Sequence, residues 1–394
     1  MPQVKPCSCG LISFQGPSQS DNMPTSTSRT PAIDMAKGLA CMAIVWHHLA
    51  FYGPMSDIAQ PLAPALIAWL YDYGRMAVQV FLVLGGYLAA ASLAPQGVAR
   101  FDHAGTAIAK RFVRLVVPYA VALVLAVLVS ALVRPWMDHH SVPDQPTFSQ
   151  LLANALLLQD IVGAGALSAG VWYVAIDFQL FALTVLMLAG VRALPMRQLR
   201  HHAAALSQGL VLLMAGASLW LFNRMAGLDM WALYFFGAYG LGMLAYWATR
   251  APQAQGWMTM MALLAGVALA VDFRARIAVA AVTALCLVVA MRSDRVRSFT
   301  GVSPLVQLGQ MSYSVFLVHF AVCLLVNAVV SHLWPTSPVL NAFGMLLAFA
   351  LSLAAGRLLY LRVERHVPSW STALRWQLGL VGAGMLVVIT SNWA

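Results

Sequence analysis

Apolar stretches of about twenty residues recur along most of this 394-residue chain. Each stretch is long enough to cross the hydrocarbon core of a bilayer, which is about 30 Å thick. Charged residues make up only 9% of the chain, against roughly 25% in soluble globular proteins. The apolar runs are continuous rather than alternating, which favours helices over a barrel, the other fold that satisfies every backbone group in lipid. The sequence therefore predicts an all-α transmembrane bundle of about ten or eleven spans.

The predicted spans lie near residues 33–53, 75–94, 112–134, 171–191, 204–222, 230–248, 257–272, 275–291, 311–333, 337–361 and 374–392. The seventh and eighth are separated only by a tight, charged link, which leaves the count open between ten and eleven. Residues 1–30 are polar and are predicted to form a disordered cytoplasmic tail, with no signal peptide visible. Residues 31–370 are predicted to form one membrane domain, and residues 371–394 an additional transmembrane helix.

Basic and acidic residues alternate between successive loops. The basic loops contain Arg100, Lys110, Arg111, Arg192, Arg197, Arg200, Arg250, Arg292, Arg295, Arg297, Arg362 and Arg365, whereas the others contain Asp57, Asp72, Asp138, Asp144, Asp160 and Asp229. Cytoplasmic loops carry an excess of Lys and Arg, which predicts an inner-membrane protein with a cytoplasmic N-terminus. The same pattern accounts for the net charge of +10 and argues against nucleic-acid binding. The longest external loop, 135–170, is predicted to hold a short interfacial helix at 148–160.

The cysteines predict neither a disulfide framework nor a metal site. Cys41, Cys286 and Cys323 lie within apolar runs, where they are expected to pack against other helices. Cys7 and Cys9 offer two ligands with no nearby histidine, which is too few for a structural metal centre. No metal and no permanently bound cofactor is expected.

The first span carries a polar stripe. Lys37 and His48 are eleven residues apart, so at about 100° per residue they lie on one helix face, about 16 Å apart along its axis. Asp34 shares this face approximately, whereas His47 is rotated by about 100°. Two interpretations remain open: a histidine satisfied by a neighbouring helix with a lysine reaching the headgroups, or a tunnel in which His48 acts as a general base.

Asp34, Lys37, Gly38 and His48 resemble the first-span motif of the acyltransferase-3 family, integral membrane enzymes that O-acylate sugars and glycans. Segments 80–88, 110–119, 172–181 and 308–319 resemble four later motifs of that family, in the same order. The resemblance covers roughly residues 29–370. The chain departs from the family pattern at four positions, which are Lys37 for Arg, Gly85 for Ser, Asp177 for Glu and Phe316 for Tyr.

The resemblance implies transfer of an acetyl or other short acyl group from acyl-CoA to a hydroxyl of a saccharide, glycan or lipid-linked sugar. His48 would be the general base, and Asp177 would orient His48 or the acceptor. The phosphates of the donor would be bound by Lys37, Arg111 and Arg114, through charge-assisted hydrogen bonds. The two arginines could instead be ordinary membrane anchors at the start of a span.

Further candidates for a polar pathway are Asp34, Ser312, Tyr313 and His319. Ser312 and His319 are seven residues apart and share a helix face. Glu364 is expected to pair with Arg362 or Arg365. Two rival functions use the same residues: a proton-coupled transporter, and a non-catalytic relative in which Lys37, Gly85 and Asp177 mark a decayed site.

Overall fold

The computed structural model describes residues 30–194 and 201–391, and it contains helices but no strand within those ranges. Its long helices are α1 (Pro31–Phe51), α2 (Ala77–Leu93), α3 (Ala104–Val133), α4 (Trp172–Arg192), α5 (Ala203–Trp220), α6 (Ala232–Arg250), α7 (Ala254–Val271), α8 (Ala275–Arg292), α9 (Ser312–Leu333), α10 (Pro338–Leu359) and α11 (Trp370–Ser391). The predicted tail, apart from Thr30, and the basic residues Arg197 and Arg200 lie outside the described residues.

Within the described residues, nine helical segments are long and apolar enough to cross a membrane. Helices α1 and α6, of 21 and 19 residues, fall outside that set. The polar stripe lowers the hydropathy of α1, and frequent Gly and Tyr lower that of α6. Both helices are largely buried, so their sides face protein rather than lipid. These features confirm the predicted all-α polytopic bundle.

The doubtful link between the seventh and eighth spans joins two separate helices. Residues 272–274 connect α7 to α8, and Arg274 Nε donates a hydrogen bond of 2.8 Å to Asp272 Oδ2. Arg274 also donates to the backbone carbonyl oxygen of Asn223. The charged residues therefore close a tight turn at the end of a helical hairpin.

Glycines allow the central helices to cross at close range. A Cβ atom added to Gly86 in α2 would overlap the carbonyl oxygen of Tyr239 in α6, and one added to Gly242 would overlap that of Val83. A Cβ atom at Gly309, in the short helix Ser303–Gln310, would overlap the carbonyl oxygen of Asp34 in α1. Small residues thus bring backbones together, as they do in many membrane helix pairs.

The long loop between α3 and α4 contains the helix Phe148–Ala155. Thr147 and Gln150 form a reciprocal capping box at its start, with Gln150 N donating to Thr147 Oγ1 at 3.1 Å. The predicted interfacial helix is therefore present, and it ends five residues earlier than expected. The last helix, α11, packs on α3 and on this short helix, where Gln377 Nε2 donates to the carbonyl oxygen of Ala155.

The two ends of the bundle differ in charge. We call the end at which α1, α3 and α9 begin the basic end, because Lys37, Arg111 and Arg114 lie near it. The opposite end is where α4, α6 and α8 begin, and their first turns share one cleft with Asp160 and Asp229. This polarity matches the alternation of charged loops along the sequence.

Candidate active site

His48 and His319 form a buried pair between α1 and α9. The Nδ1 atom of His48 lies 2.5 Å from the Nε2 atom of His319, and the two rings are nearly parallel with centroids 4.8 Å apart. His48 is 8% exposed and His319 is fully buried. Each histidine is a candidate from the sequence taken separately, and the structure joins them into one unit.

The hydrogen bonds of this pair define where the ring protons lie. His319 Nδ1 is 2.7 Å from the carbonyl oxygen of Phe316, which can only accept, so this nitrogen carries the proton. In a neutral imidazole the other nitrogen is an acceptor, so His48 donates from Nδ1 to Nε2 of His319. His48 Nε2 keeps a free lone pair, and it has no hydrogen-bond partner among the described residues. The arrangement therefore presents a base at one defined atom.

The loop before α4 closes against the histidine pair at Gly170. This glycine has a φ of +80°, which side chains rarely adopt. A Cβ atom there would lie 3.3 Å from His48 Cε1 and 3.0 Å from Phe316 Cζ. Sequence reasoning missed Gly170, because a glycine preceding a helix is an ordinary turn signal. Its contact with a histidine in α1 depends on how the helices pack.

His47 occupies a different environment from His48. Its Nδ1 atom is 2.9 Å from the carbonyl oxygen of Leu70, in the apolar helix Pro64–Tyr73 that precedes α2. The backbone of Gly74 also packs closely against His47. A Cβ atom added to Gly74 would lie only 2.7 Å from the Cβ atom of His47. The two neighbouring histidines therefore face different helices, as the angle of about 100° between successive residues requires.

Arg111 and Asp177 form an ion pair between α3 and α4, with Arg111 Nη2 2.5 Å from Asp177 Oδ2. The guanidinium also lies over the ring of Phe181, 5.3 Å from its centroid. Tyr173, Tyr239 and Tyr313 are near enough to interact with these charges. Asp177 thus binds the arginine that was expected to bind the donor, and His48 instead donates the hydrogen bond that orients its ring to His319 Nε2.

A family model described as an acyltransferase domain matches residues 30–392, which is most of the chain. The chain belongs to the acyltransferase-3 family. No curated protein and no solved structure gives a significant match. The matched region contains all eleven long helices, α11 included, together with the histidine pair and the ion pair. The protein is therefore a membrane acyltransferase.

At the basic end of this acyltransferase, Lys37 Nζ lies 3.3 Å from Asp34 Oδ1. Arg114 is exposed and forms no ion pair with any described residue. Both cations are close enough to Glu364 to interact with its charge. Of the three predicted phosphate-binding residues, Lys37 and Arg114 therefore share one region, whereas Arg111 is engaged by Asp177.

The expected pairing of Glu364 with Arg362 or Arg365 is wrong. Glu364 Oε2 instead accepts hydrogen bonds from Ser314 N at 3.1 Å and from Ser314 Oγ at 2.5 Å. Ser314 lies in the first turn of α9, whose free N–H groups attract a carboxylate. A helix terminus in another part of the chain therefore outcompetes the neighbouring arginines.

The other candidates from the sequence hold helices together. Ser312 Oγ donates to the carbonyl oxygen of Gly309 at 2.9 Å, and Tyr313 Oη donates to that of Leu115 at 3.0 Å. The carbonyl oxygen of Ser312 in turn accepts a weak hydrogen bond from Cys41 Sγ at 3.7 Å. Among the described residues, no group of three or more His, Cys, Asp or Glu could hold a metal ion.

Proposed function

We propose that this acyltransferase moves a short acyl group from acyl-CoA to a hydroxyl of a saccharide, glycan or lipid-linked sugar, with His48 as the general base. The observation that supports this role is the hydrogen-bonded chain from Phe316 through His319 to His48. That chain leaves the lone pair on His48 Nε2 free, as a general base requires. In this proposal the acceptor hydroxyl lies within hydrogen-bond reach of that atom.

The reaction follows from this protonation state. His48 Nε2 takes the proton of the acceptor hydroxyl as its oxygen attacks the thioester carbonyl carbon of the donor. The tetrahedral intermediate then collapses, the carbon–sulfur bond breaks, and the departing thiolate takes the proton from His48. While His48 is cationic, its Nδ1–H remains hydrogen-bonded to His319, which stabilises the imidazolium and keeps the ring in position. His48 is the catalytic residue in this scheme and His319 is a positioning residue.

The donor is proposed to enter from the basic end, which is cytoplasmic in the predicted orientation. Lys37 and Arg114 would hold its phosphates. The ammonium group of Lys37 would act as a point charge, and the planar guanidinium of Arg114 would donate paired hydrogen bonds. The rise of about 16 Å from Lys37 to His48 along α1 is comparable to the extended pantetheine arm of coenzyme A. Asp177 is proposed to keep Arg111 beside this path, so that the arginine is ordered before the donor arrives.

Release of free coenzyme A from acetyl-CoA tests the proposal. The purified full-length protein in lipid nanodiscs is incubated with acetyl-CoA and a panel of mono- and trisaccharides, and free thiol is measured. His48→Ala is expected to slow release by about 10²–10⁴-fold, the usual contribution of a positioned base. His47→Ala, one residue away, is the matched control and is expected to stay close to the parent protein.

Both variants must reach equal abundance in the membrane, because lost expression would imitate lost chemistry. Full activity in His48→Ala, or an equal loss in both variants, would contradict the base assignment. If the parent protein releases no coenzyme A but moves protons across a vesicle membrane when a solute is added, the transporter hypothesis replaces this proposal.

A further inference from the structure

A cavity at the end of the bundle opposite Lys37 is lined largely by arginines. It lies between the start of α8 and the turn Gly74–Met76, which joins the helix Pro64–Tyr73 to α2, and its volume is about 520 Å³. This volume falls in the range of small-molecule binding sites. The charged residues of its lining are Asp72, Arg75, Arg274 and Arg276. Three guanidinium groups therefore share one space with a single carboxylate, which leaves an excess of positive charge.

Membrane orientation does not explain this positive charge. The loops at this end of the bundle contain the acidic residues Asp138, Asp144 and Asp229, and the predicted orientation places them outside the cytoplasm. Lys and Arg are the less frequent residues in loops on that side. A cluster of arginines there calls for a local partner, and an anion in the cavity provides one.

The three arginines differ in how far the protein itself neutralises them. Arg274 is paired, because its Nε donates to Asp272 Oδ2 at 2.8 Å. Arg276 Nη1 donates at 2.5 Å to Tyr234 Oη, which carries no charge as a phenol. Arg75 is exposed and has no hydrogen bond or ion pair with any described residue. Two guanidinium groups thus face the cavity without a carboxylate partner in the described part of the chain.

The surroundings of the cavity indicate a lipid rather than a soluble anion. Phe273, which directly precedes Arg274, is 74% exposed, and Tyr73 of the lining is exposed as well. Helix α7 ends two residues before Phe273 and carries an exposed apolar stripe formed by Leu263, Val267 and Val271. These three residues are spaced four apart, so they lie on one face of α7, which is suited to contact with hydrocarbon chains.

We propose that this cavity binds the phosphate group of an anionic phospholipid. The guanidinium groups of Arg75 and Arg276 donate charge-assisted hydrogen bonds to the phosphate oxygens, for which their planar shape is suited. The acyl chains then lie against the exposed stripe of α7. The lipid is not a reactant of the acyl transfer, and its binding requires neither His48 nor acyl-CoA. Free inorganic phosphate has the same oxygen chemistry, and the experiment distinguishes it from the lipid.

Titration of the delipidated full-length protein in detergent tests the site. The ligands are phosphatidylglycerol, inorganic phosphate, and phosphatidylcholine, which carries the same phosphate but no net charge. Native mass spectrometry measures the affinity for the first bound lipid. The thermal midpoint reports binding independently, because a ligand of the folded state raises it.

Arg75→Gln is the main variant, since this exposed, unpaired side chain can be replaced without breaking a contact within the described residues. Arg295→Gln is the matched control. It removes one positive charge from an exposed arginine in the short helix Asp294–Ser298, which follows α8 at the basic end. A general attraction between a basic protein and an anionic lipid would be weakened equally by the two changes.

Phosphatidylglycerol is expected to bind the parent protein more tightly than phosphatidylcholine and to raise its thermal midpoint. Arg75→Gln should weaken the binding of phosphatidylglycerol about tenfold, the effect of losing charge-assisted hydrogen bonds to a phosphate. Arg75→Lys should weaken it less, because the charge is kept and only the planar geometry is lost. Arg276→Gln should also weaken it, whereas Arg295→Gln should leave it unchanged.

Equal affinity for phosphatidylglycerol in Arg75→Gln and the parent protein would overturn the proposal, as would equal affinity of the parent for the two phospholipids. Stabilisation by inorganic phosphate as strong as that by phosphatidylglycerol would replace the lipid site with a site for free phosphate. The His48→Ala variant should bind phosphatidylglycerol as tightly as the parent protein. The outcome therefore does not depend on whether the protein releases coenzyme A.

Discussion

His48 Nδ1 and His319 Nε2 lie 2.5 Å apart although 271 positions separate them in the chain. The contact joins the first long helix to the ninth, and it is continued by the hydrogen bond from His319 Nδ1 to the carbonyl oxygen of Phe316. Because a carbonyl can only accept, this bond puts the proton on His319 Nδ1, and His319 Nε2 must then accept the hydrogen bond from His48. The orientation of the His48 ring is therefore set by a residue of another helix.

His319→Leu is expected to lower kcat by roughly 10- to 100-fold, part of the contribution of a positioned base. Leucine cannot accept the proton of His48 Nδ1, so the ring loses both its orientation and its preferred tautomer. His319→Gln has a carbonyl oxygen that can accept and should retain more activity. Steady-state kinetics with acetyl-CoA measure this effect. The KM for acetyl-CoA should stay unchanged in both variants. Equal kcat values in the two variants would exclude the positioning role.

Asp177→Leu is expected to destabilise the protein by about 3 kcal/mol, at the low end for a broken buried ion pair because the Arg111 side chain is 33% exposed. The physical cause is the charge left on Arg111 without its partner. The double variant Arg111→Leu, Asp177→Leu should recover much of this loss, since no charge stays unpaired. Thermal midpoints of the purified proteins in one detergent report the effect. A double variant as unstable as the sum of the single changes would contradict it.

Arg114→Ala is expected to raise the KM for acetyl-CoA at least about tenfold with little change in kcat, the effect of losing one charge-assisted bond to a phosphate. Arg111→Ala should also weaken donor binding, together with the stability cost described above. Arg295→Ala, an exposed arginine of the short helix Asp294–Ser298, is the control and should leave the KM unchanged. Lys37→Arg should be tolerated because the positive charge is kept. An unaltered KM in Arg114→Ala would leave that residue as a membrane anchor.

Gly170→Ala is expected to lower kcat strongly. The added methyl group would contact His48 Cε1 and Phe316 Cζ, and a side chain at a φ of +80° costs about 1–2 kcal/mol. Gly97→Ala carries a similar backbone penalty, with a φ of +76°, and its Cβ would contact Ala204. Turnover measured at equal abundance compares the two. Equal losses would show that backbone strain alone, without the contact to His48, explains the effect.

Membrane orientation can be measured with single cysteines. Gln145→Cys, in the long loop before α4, should react with an impermeant thiol reagent in intact cells, because this loop is predicted to be external. His103→Cys, exposed just before α3 at the basic end, should react only after the membrane is opened. The reverse pattern would invert the orientation, and with it the side from which acyl-CoA enters.

The spans could be predicted from the sequence because lipid allows so few solutions. A segment that crosses the bilayer must be apolar over about 30 Å and must satisfy its own backbone hydrogen bonds, so a continuous apolar run implies a helix. Periodicity within one helix was equally informative. The separation of Lys37 from His48 placed them on one face of α1 and placed His47 on another, where it contacts the helix Pro64–Tyr73.

Contacts between helices could not be predicted in this way, because periodicity gives the direction of a side chain but not the identity of the helix opposite. The resemblance implied Asp177 as the residue that orients His48 or the acceptor, yet packing places His319 beside His48 and Asp177 on Arg111. Glu364 had two arginines close in sequence, yet the free N–H groups and hydroxyl at the start of α9 bind it instead. The sequence by itself determined the membrane fold and placed Lys37 and His48 on one face of α1. Only the tertiary structure decided the partners, because in a bundle every buried polar atom bonds to whichever helix packing brings within reach.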